Sequence, residues 1–150
     1  MKYIECPKEY LPNNGEKSLF IAGGISNCRN WQRELVEEIV HEDVVLFNPR
    51  RKLFDINNPE IEIEQINWEH KYIGLAKAVS FWFSPETLCP ITLYELGKVS
   101  MMEKKLFIGI DEEYSRKRDL EIQTGLIRPE VEIVYSLDDL ASQIKEWGKS

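Results

Sequence analysis

Two glutamates carry most of the chemistry this chain can offer. Glu95 follows a run of large apolar residues, Val79 to Phe83, and a short loop marked by Pro85 and Pro90. Pro90 suits the first position of a helix, where a missing N–H costs nothing, so Glu95 falls in its second turn among Ile91, Leu93, Tyr94 and Leu96. A carboxyl in apolar surroundings just past the end of a central strand is a candidate reactive group. The competing reading is a capping box, Thr92-x-x-Glu95; a helix that starts at Pro90 sets Glu95 too deep for that role. Glu69 lies on a second helix beside Trp68 and Tyr72. Partial burial there would raise its pKa and suit it to donating a proton.

Other polar groups stand at neighbouring strand ends. Gly23 and Gly24 close the run Ser18–Ala22 and allow either a tight turn or close approach of a ligand to the backbone. Asn48, Arg50 and Arg51 follow Val44–Phe47, and an arginine pair at such a place suits a phosphate or carboxylate. Asp111 follows Leu106–Ile110. Trp68, Trp82 and Tyr94 read as core residues rather than base-stacking platforms. Cys28 and Cys89 read as small inert side chains, since His41 and His70 both lie within predicted helices.

The elements that position these groups alternate strictly. Strands are predicted at 18–24, 44–47, 79–83, 106–110 and 131–135, with helices from about Cys28 or Asn30 to His41, at 60–77, from Pro90 to about Lys104, at 114–126 and from Ser136 to Trp147. Residues 1–17 read as an irregular lead-in, and 52–60 as a loop. Trp31, Leu35, Ile39 and Val40 are expected to face inward, as are Ile61, Trp68, Tyr72 and Leu75. The strands are apolar runs rather than alternating patterns, which argues for a parallel sheet covered on both faces. The expected fold is α/β, a single domain over 1–150 with a flavodoxin-like, doubly wound, five-stranded parallel sheet and strand order 2-1-3-4-5. The carboxyl ends of its first four strands would open into one crevice.

Composition narrows the partners. A net charge of −7 over 150 residues disfavours a nucleic-acid polymer or an anionic membrane surface. Three widely spaced cysteines indicate neither a disulfide framework nor a zinc site. The first residues lack the apolar stretch of a signal peptide, and no run approaches membrane-spanning length, so a cytoplasmic location is expected.

With these residues in place, the chain resembles the nucleoside 2-deoxyribosyltransferase-like superfamily. The likeness rests on Phe20-Ile-Ala-Gly-Gly24 with Trp31-Gln32, Asn48-Pro-Arg-Arg51, Gln65-Ile-Asn-Trp-Glu69, Phe81-Trp-Phe83, Cys89-Pro-Ile-Thr-Leu-Tyr-Glu-Leu-Gly97, and Gly109 to Arg116 with Asp119 and Gln123. It implies cleavage of an N-glycosidic bond in a nucleoside or nucleotide, without a cofactor or metal. By match to the Glu-Leu-Gly motif, Glu95 attacks the anomeric carbon, and a second base or water then takes the glycosyl group. The resemblance makes Glu69 the proton-handling group, sets Trp68 at the base pocket, and implies substrate contacts from Gly23, Gly24, Asn48, Arg50, Arg51, Cys89, Thr92 and Asp111. It also implies a homo-oligomer, with Tyr114, Arg116 and Gln123 as the candidate contact. Two departures stand out. Cys89 replaces the aspartate that the family commonly places six residues before the nucleophile to hold the sugar 5′-hydroxyl, and Val79 replaces an acid at the start of its strand. Loss of the acid, with Arg50 and Arg51 nearby, would better tolerate a 5′-phosphate. The rival readings are a nucleotide-binding or sensing module without turnover, and a glycohydrolase acting on NAD.

Overall fold

The computed structural model describes residues 1–53, 55 and 57–150; the expected loop at 52–60 is therefore described except for Phe54 and Ile56. The apolar runs become strands β2 (Ser18–Gly23), β3 (Val45–Asn48), β4 (Ala78–Phe83), β5 (Lys105–Ile110) and β6 (Ile133–Val134). Each is followed by a helix: α1 (Trp31–Ile39), α2 (Pro59–Leu75), α3 (Pro90–Ser100), α4 (Lys117–Ile127) and α5 (Leu137–Lys149). One sequence expectation fails at the start. Residues 1–17 are not merely a lead-in, because Lys2–Glu5 form an additional strand, β1, parallel to β3 with Ile4 opposite Phe47.

The sheet among the described residues thus has six strands in the order β1-β3-β2-β4-β5-β6, all parallel. The five expected strands keep their expected order, with β1 added at the edge. The fold is the doubly wound, flavodoxin-like one. The chain leaves β2 toward β3 on one side and returns to β4 on the other. The crevice between the carboxyl ends of β2 and β4 is the switch point where such sheets bind ligands.

Alternation along the strands splits the core in two. Phe20, Ala22, Val79, Phe81, Phe83, Ile108 and Ile110 face α2, α3 and α4. Leu19, Ile21, Leu46, Trp82 and Phe107 face α1 and α5. On α1, Trp31, Leu35 and Ile39 are buried as expected, but Val40 points outward, 43% exposed, because the helix ends at Ile39. On α2, Trp68, Tyr72 and Ile73 form the buried stripe while Leu75 is exposed in the last turn. α3 stops at Ser100, a turn earlier than predicted. Among the described residues no helix is long and apolar enough to cross a membrane.

Candidate active site

α3 is placed by its first residue. Cys89, its N-cap, is left-handed (φ 51°, ψ 56°), its side chain makes no capping bond, and Pro90 takes the first helical position. Leu93 N–H donates to the Cys89 carbonyl at 3.0 Å, closing the first turn. Thr92 is therefore the third helical residue rather than the cap, and the capping-box reading of Glu95 fails. α2 is started by Asn58, whose side chain accepts from Glu60 N–H, and by Pro59. Its inward face brings Gln65 and Glu69 toward the same space.

That space is a cleft of about 1220 Å³ at the carboxyl ends of β2, β3 and β4. Glu95, Glu69, Gly23, Gly24, Asn48, Arg50, Arg51, Cys89 and Thr92 all line it. Tyr3 and Glu5 of β1, together with Gln65, His70 and Lys98, line it too. None of these was a predicted site residue. Tyr3 and Glu5 were hidden by reading residues 1–17 as irregular. Lys98 was legible, since it stands three residues after Glu95 on one helical face.

The two carboxyls set the electrostatics. Burial pushes the Glu95 carboxyl up to about 8, the Glu69 charge adds to the rise, and Lys98 opposes it. Burial also raises Glu69, against a hydrogen bond from Gln65 and the charge of Arg51. Of the two, Glu95 is the more strongly raised, and the Glu69 charge beside it favours its protonated form. Lys98 Nζ lies 3.3 Å from His70 Nδ1, linking α3 to α2 beside the acid pair.

The other side chains show why the cleft has its shape. Gly23 is required by packing: a β-carbon there would lie 2.3 Å from the Trp31 ring and 2.6 Å from the Trp82 carbonyl oxygen. Gly24 presents its carbonyl to Trp31 Nε1 at 2.9 Å and Gln32 Nε2 at 3.0 Å. Its Cα side meets the sulfurs of Cys28 and Cys89, each 3.2 Å from where a β-carbon would stand. Asn48 accepts from Arg50 N–H and donates to Tyr3 Oη.

The two arginines also hold the framework of the cleft together. Arg50 Nη1 donates to the Arg29 carbonyl at 2.8 Å and Gln32 Oε1 at 3.0 Å, and its Nη2 to the Cys28 carbonyl at 3.2 Å. It ties the loop after β2 to the start of α1. Arg51 pairs with Glu64 at 2.6 Å and donates to Cys6 Sγ at 3.2 Å. Both guanidinium groups are anchored by the protein itself while lining the cleft. Trp68 and Asp111 do not line the cleft. Trp68 is core, packed on Phe20, Phe47 and Tyr72, with Nε1 donating to the Lys8 carbonyl at 2.8 Å. Asp111 shapes a turn by accepting from Glu113 N–H. Tyr114, expected at a subunit contact, is buried, and its hydroxyl donates to the Leu88 carbonyl at 2.8 Å. Among the described residues no cluster of three or more His, Cys, Asp or Glu side chains is arranged to hold a metal.

Fold and cleft together define an α/β protein with a carboxyl pair at the switch point of a parallel sheet. The family model described as nucleoside 2-deoxyribosyltransferase like matches residues 16–114, from just before β2 to just after β5. The chain belongs to that family. Among curated proteins no match is found.

Proposed function

We propose that the protein cleaves the N-glycosidic bond of a nucleoside or nucleotide and transfers the (deoxy)ribosyl group to another base or to water through an ester on Glu95. The observation that carries this reading is that Glu95 and Glu69 line one cleft, with burial raising both carboxyls and the Glu69 charge raising Glu95 further. The reaction asks for such a pair. One carboxylate must be ionised to meet the oxocarbenium-like anomeric carbon, and one carboxyl must hold a proton for the departing base. Glu95 is the nucleophile and Glu69 handles the base proton. With the resting proton on Glu95, the nucleophile is freed when that proton passes toward Glu69 and the base; above about 8 the pair loses the proton and the base has no acid to serve it. Small-molecule binding accords with the family to which the chain belongs.

The test is chromatography of free base after incubation with deoxynucleosides, ribonucleosides and their 5′-monophosphates, with and without an acceptor base. Base release, abolished in Glu95→Gln, is expected with at least one substrate class. Full turnover by Glu95→Gln would overturn the mechanism. The neutral resting state of Glu95 favours one second reading, a module that senses a nucleotide without turnover. A thermal shift with nucleotide and no released base would select it.

A further inference from the structure

A line of hydrogen bonds approaches Glu69 from behind the cleft. It begins at Arg51, whose Nη2 donates to Cys6 Sγ at 3.2 Å. Cys6 Sγ donates to Gln65 Oε1 at 3.1 Å, and Gln65 Nε2 donates to Glu69 Oε1 at 2.7 Å. The second Nε2 hydrogen is held by the Pro49 carbonyl, also at 2.7 Å. Chemistry fixes the direction of every link. Arg51 has no acceptor to offer, and a carbonyl oxygen cannot donate. The Gln65 amide is thereby held in one orientation, because the reverse would set two acceptors against each other at Pro49. Gln65 and Cys6 are 8% and 2% exposed, so water offers them little alternative partnership. The line terminates on Glu69 as donors only.

We infer that Gln65 is a positioning residue for Glu69: it fixes Oε1 as a hydrogen-bond acceptor and leaves Oε2 as the atom that exchanges a proton with the base. The inference rests on the proposed cleavage for its consequence, but the hydrogen-bond geometry stands without it. During cleavage the proton on Oε2 passes to a base nitrogen as the electron pair of the glycosidic C–N bond leaves with the base. Glu69 is left as a carboxylate that Gln65 already solvates. Titratable groups that line the cleft with Glu69 enter the same balance: Lys98 and Glu95 from α3, His70 and Glu62 from α2, Arg51 after β3, and Glu5 from β1. Gln65 differs from all of these in touching the carboxyl through a neutral donor, so it orients an oxygen without setting a net charge.

The decisive measurement is the carboxyl ¹³C titration of Glu69, assigned by its loss in Glu69→Gln. It needs no substrate. In Gln65→Met the Glu69 midpoint is expected to rise by about one pH unit, since a bond to the charged form is removed. Cys6→Ala, which empties the middle of the line with little change of volume, is expected to move it the same way by less, and serves if Gln65→Met does not fold. An unmoved Glu69 midpoint in the folded variants would overturn the inference. Where base release is measurable, the pH–rate limb of Gln65→Met is expected to shift with the titration. A lowered rate with an unshifted limb means that Gln65 is only structural and also overturns it. A moved titration in a protein that releases no base from any substrate rejects the cleavage reading and leaves the positioning intact.

Discussion

At the scale of single residues, the raised carboxyl of Glu95 makes stability depend on pH. Its carboxyl titrates at about 8 in the fold against an ordinary value of 4.5. The folded protein therefore binds a proton that the unfolded chain releases throughout the interval from 4.5 to about 8. Stability falls as pH rises across that window and levels off above it. Below 4.5 both states are protonated and the group contributes no pH dependence. Glu95→Gln keeps the shape and removes the charge. It is expected to leave the unfolding free energy nearly unchanged at pH 5 and to raise it at pH 8.5 by on the order of 2 kcal/mol, allowing for relaxation around the charge. Urea denaturation at both pH values reads the difference, and equal effects would show that Glu95 is not desolvated. The same ionisation predicts that kcat/KM for base release falls as pH rises through about 8, where the pair loses the proton that the departing base needs. A residue whose replacement stabilises the fold while abolishing turnover is expected of a strained reactive group. Part of this was legible from sequence. Pro90 excluded the capping role, but the apolar neighbours were a poor guide: Ile91 and Tyr94, the latter read as core, are exposed at 66% and 76% and line the cleft with Glu95. The anchoring of the arginines was not legible, because adjacent positive charges reveal nothing about carbonyls brought near them by folding. Those from Cys28 and Arg29 meet Arg50 only once the loop after β2 has formed.

At the scale of elements, the two glycines that end β2 separate backbone approach from packing. Sequence offered both as places for a ligand to approach. The structure makes Gly23 the seat of the Trp31 indole, which crosses the strand end and clamps α1 to the sheet. Gly23→Ala would drive a methyl into that ring and the Trp82 carbonyl, and neither can retreat: Trp31 is fully buried, and the carbonyl is part of β4. The expected cost is about 2–3 kcal/mol, near the upper end for overpacking. Gly24→Ala meets Cys28 Sγ, Cys89 Sγ and Thr87 Cγ2 at 3.2 Å, contacts that small side-chain shifts relieve. Its expected cost is below about 1 kcal/mol. Denaturation of the two variants side by side checks the order, and a larger loss in Gly24→Ala would reverse the assignment. Element identities and their sequence were readable because buried parallel strands give unbroken apolar runs between amphipathic helices. Trp68 shows where that reading ends. Its place on the buried stripe of α2 was plain, but whether its ring faced the core or the cleft depended on Lys8 and Tyr72, partners distant in sequence or on the same stripe.

At the scale of the whole molecule, the least legible part is the one that completes the sheet. β1 is short and begins with the polar pair Lys2 and Tyr3, so no apolar run announced it. Its pairing is set by β3, which would otherwise present an open edge. The segment also holds the back of the site. Cys6 supports Gln65, the Lys8 carbonyl takes the Trp68 indole N–H, and Tyr10 N–H donates to the Tyr72 hydroxyl at 2.8 Å. All three lie outside residues 16–114, the stretch shared with the family. A chain starting at residue 16 would keep the family core but lose these contacts and uncover β3. Trp68 Nε1 would lose its acceptor, the Lys8 carbonyl, and Gln65 Oε1 its donor, Cys6 Sγ. Each group left unpaired in the interior costs about 1–3 kcal/mol. Removal of residues 1–15 is therefore expected to lower the thermal midpoint, to promote association through the freed strand edge, and to raise the Glu69 titration as Cys6→Ala does. Light scattering and calorimetry on the shortened chain measure the first two, and ¹³C titration the third. A shortened protein that keeps the association state of the full chain and melts with it would show β1 to be ornamental to fold and site alike.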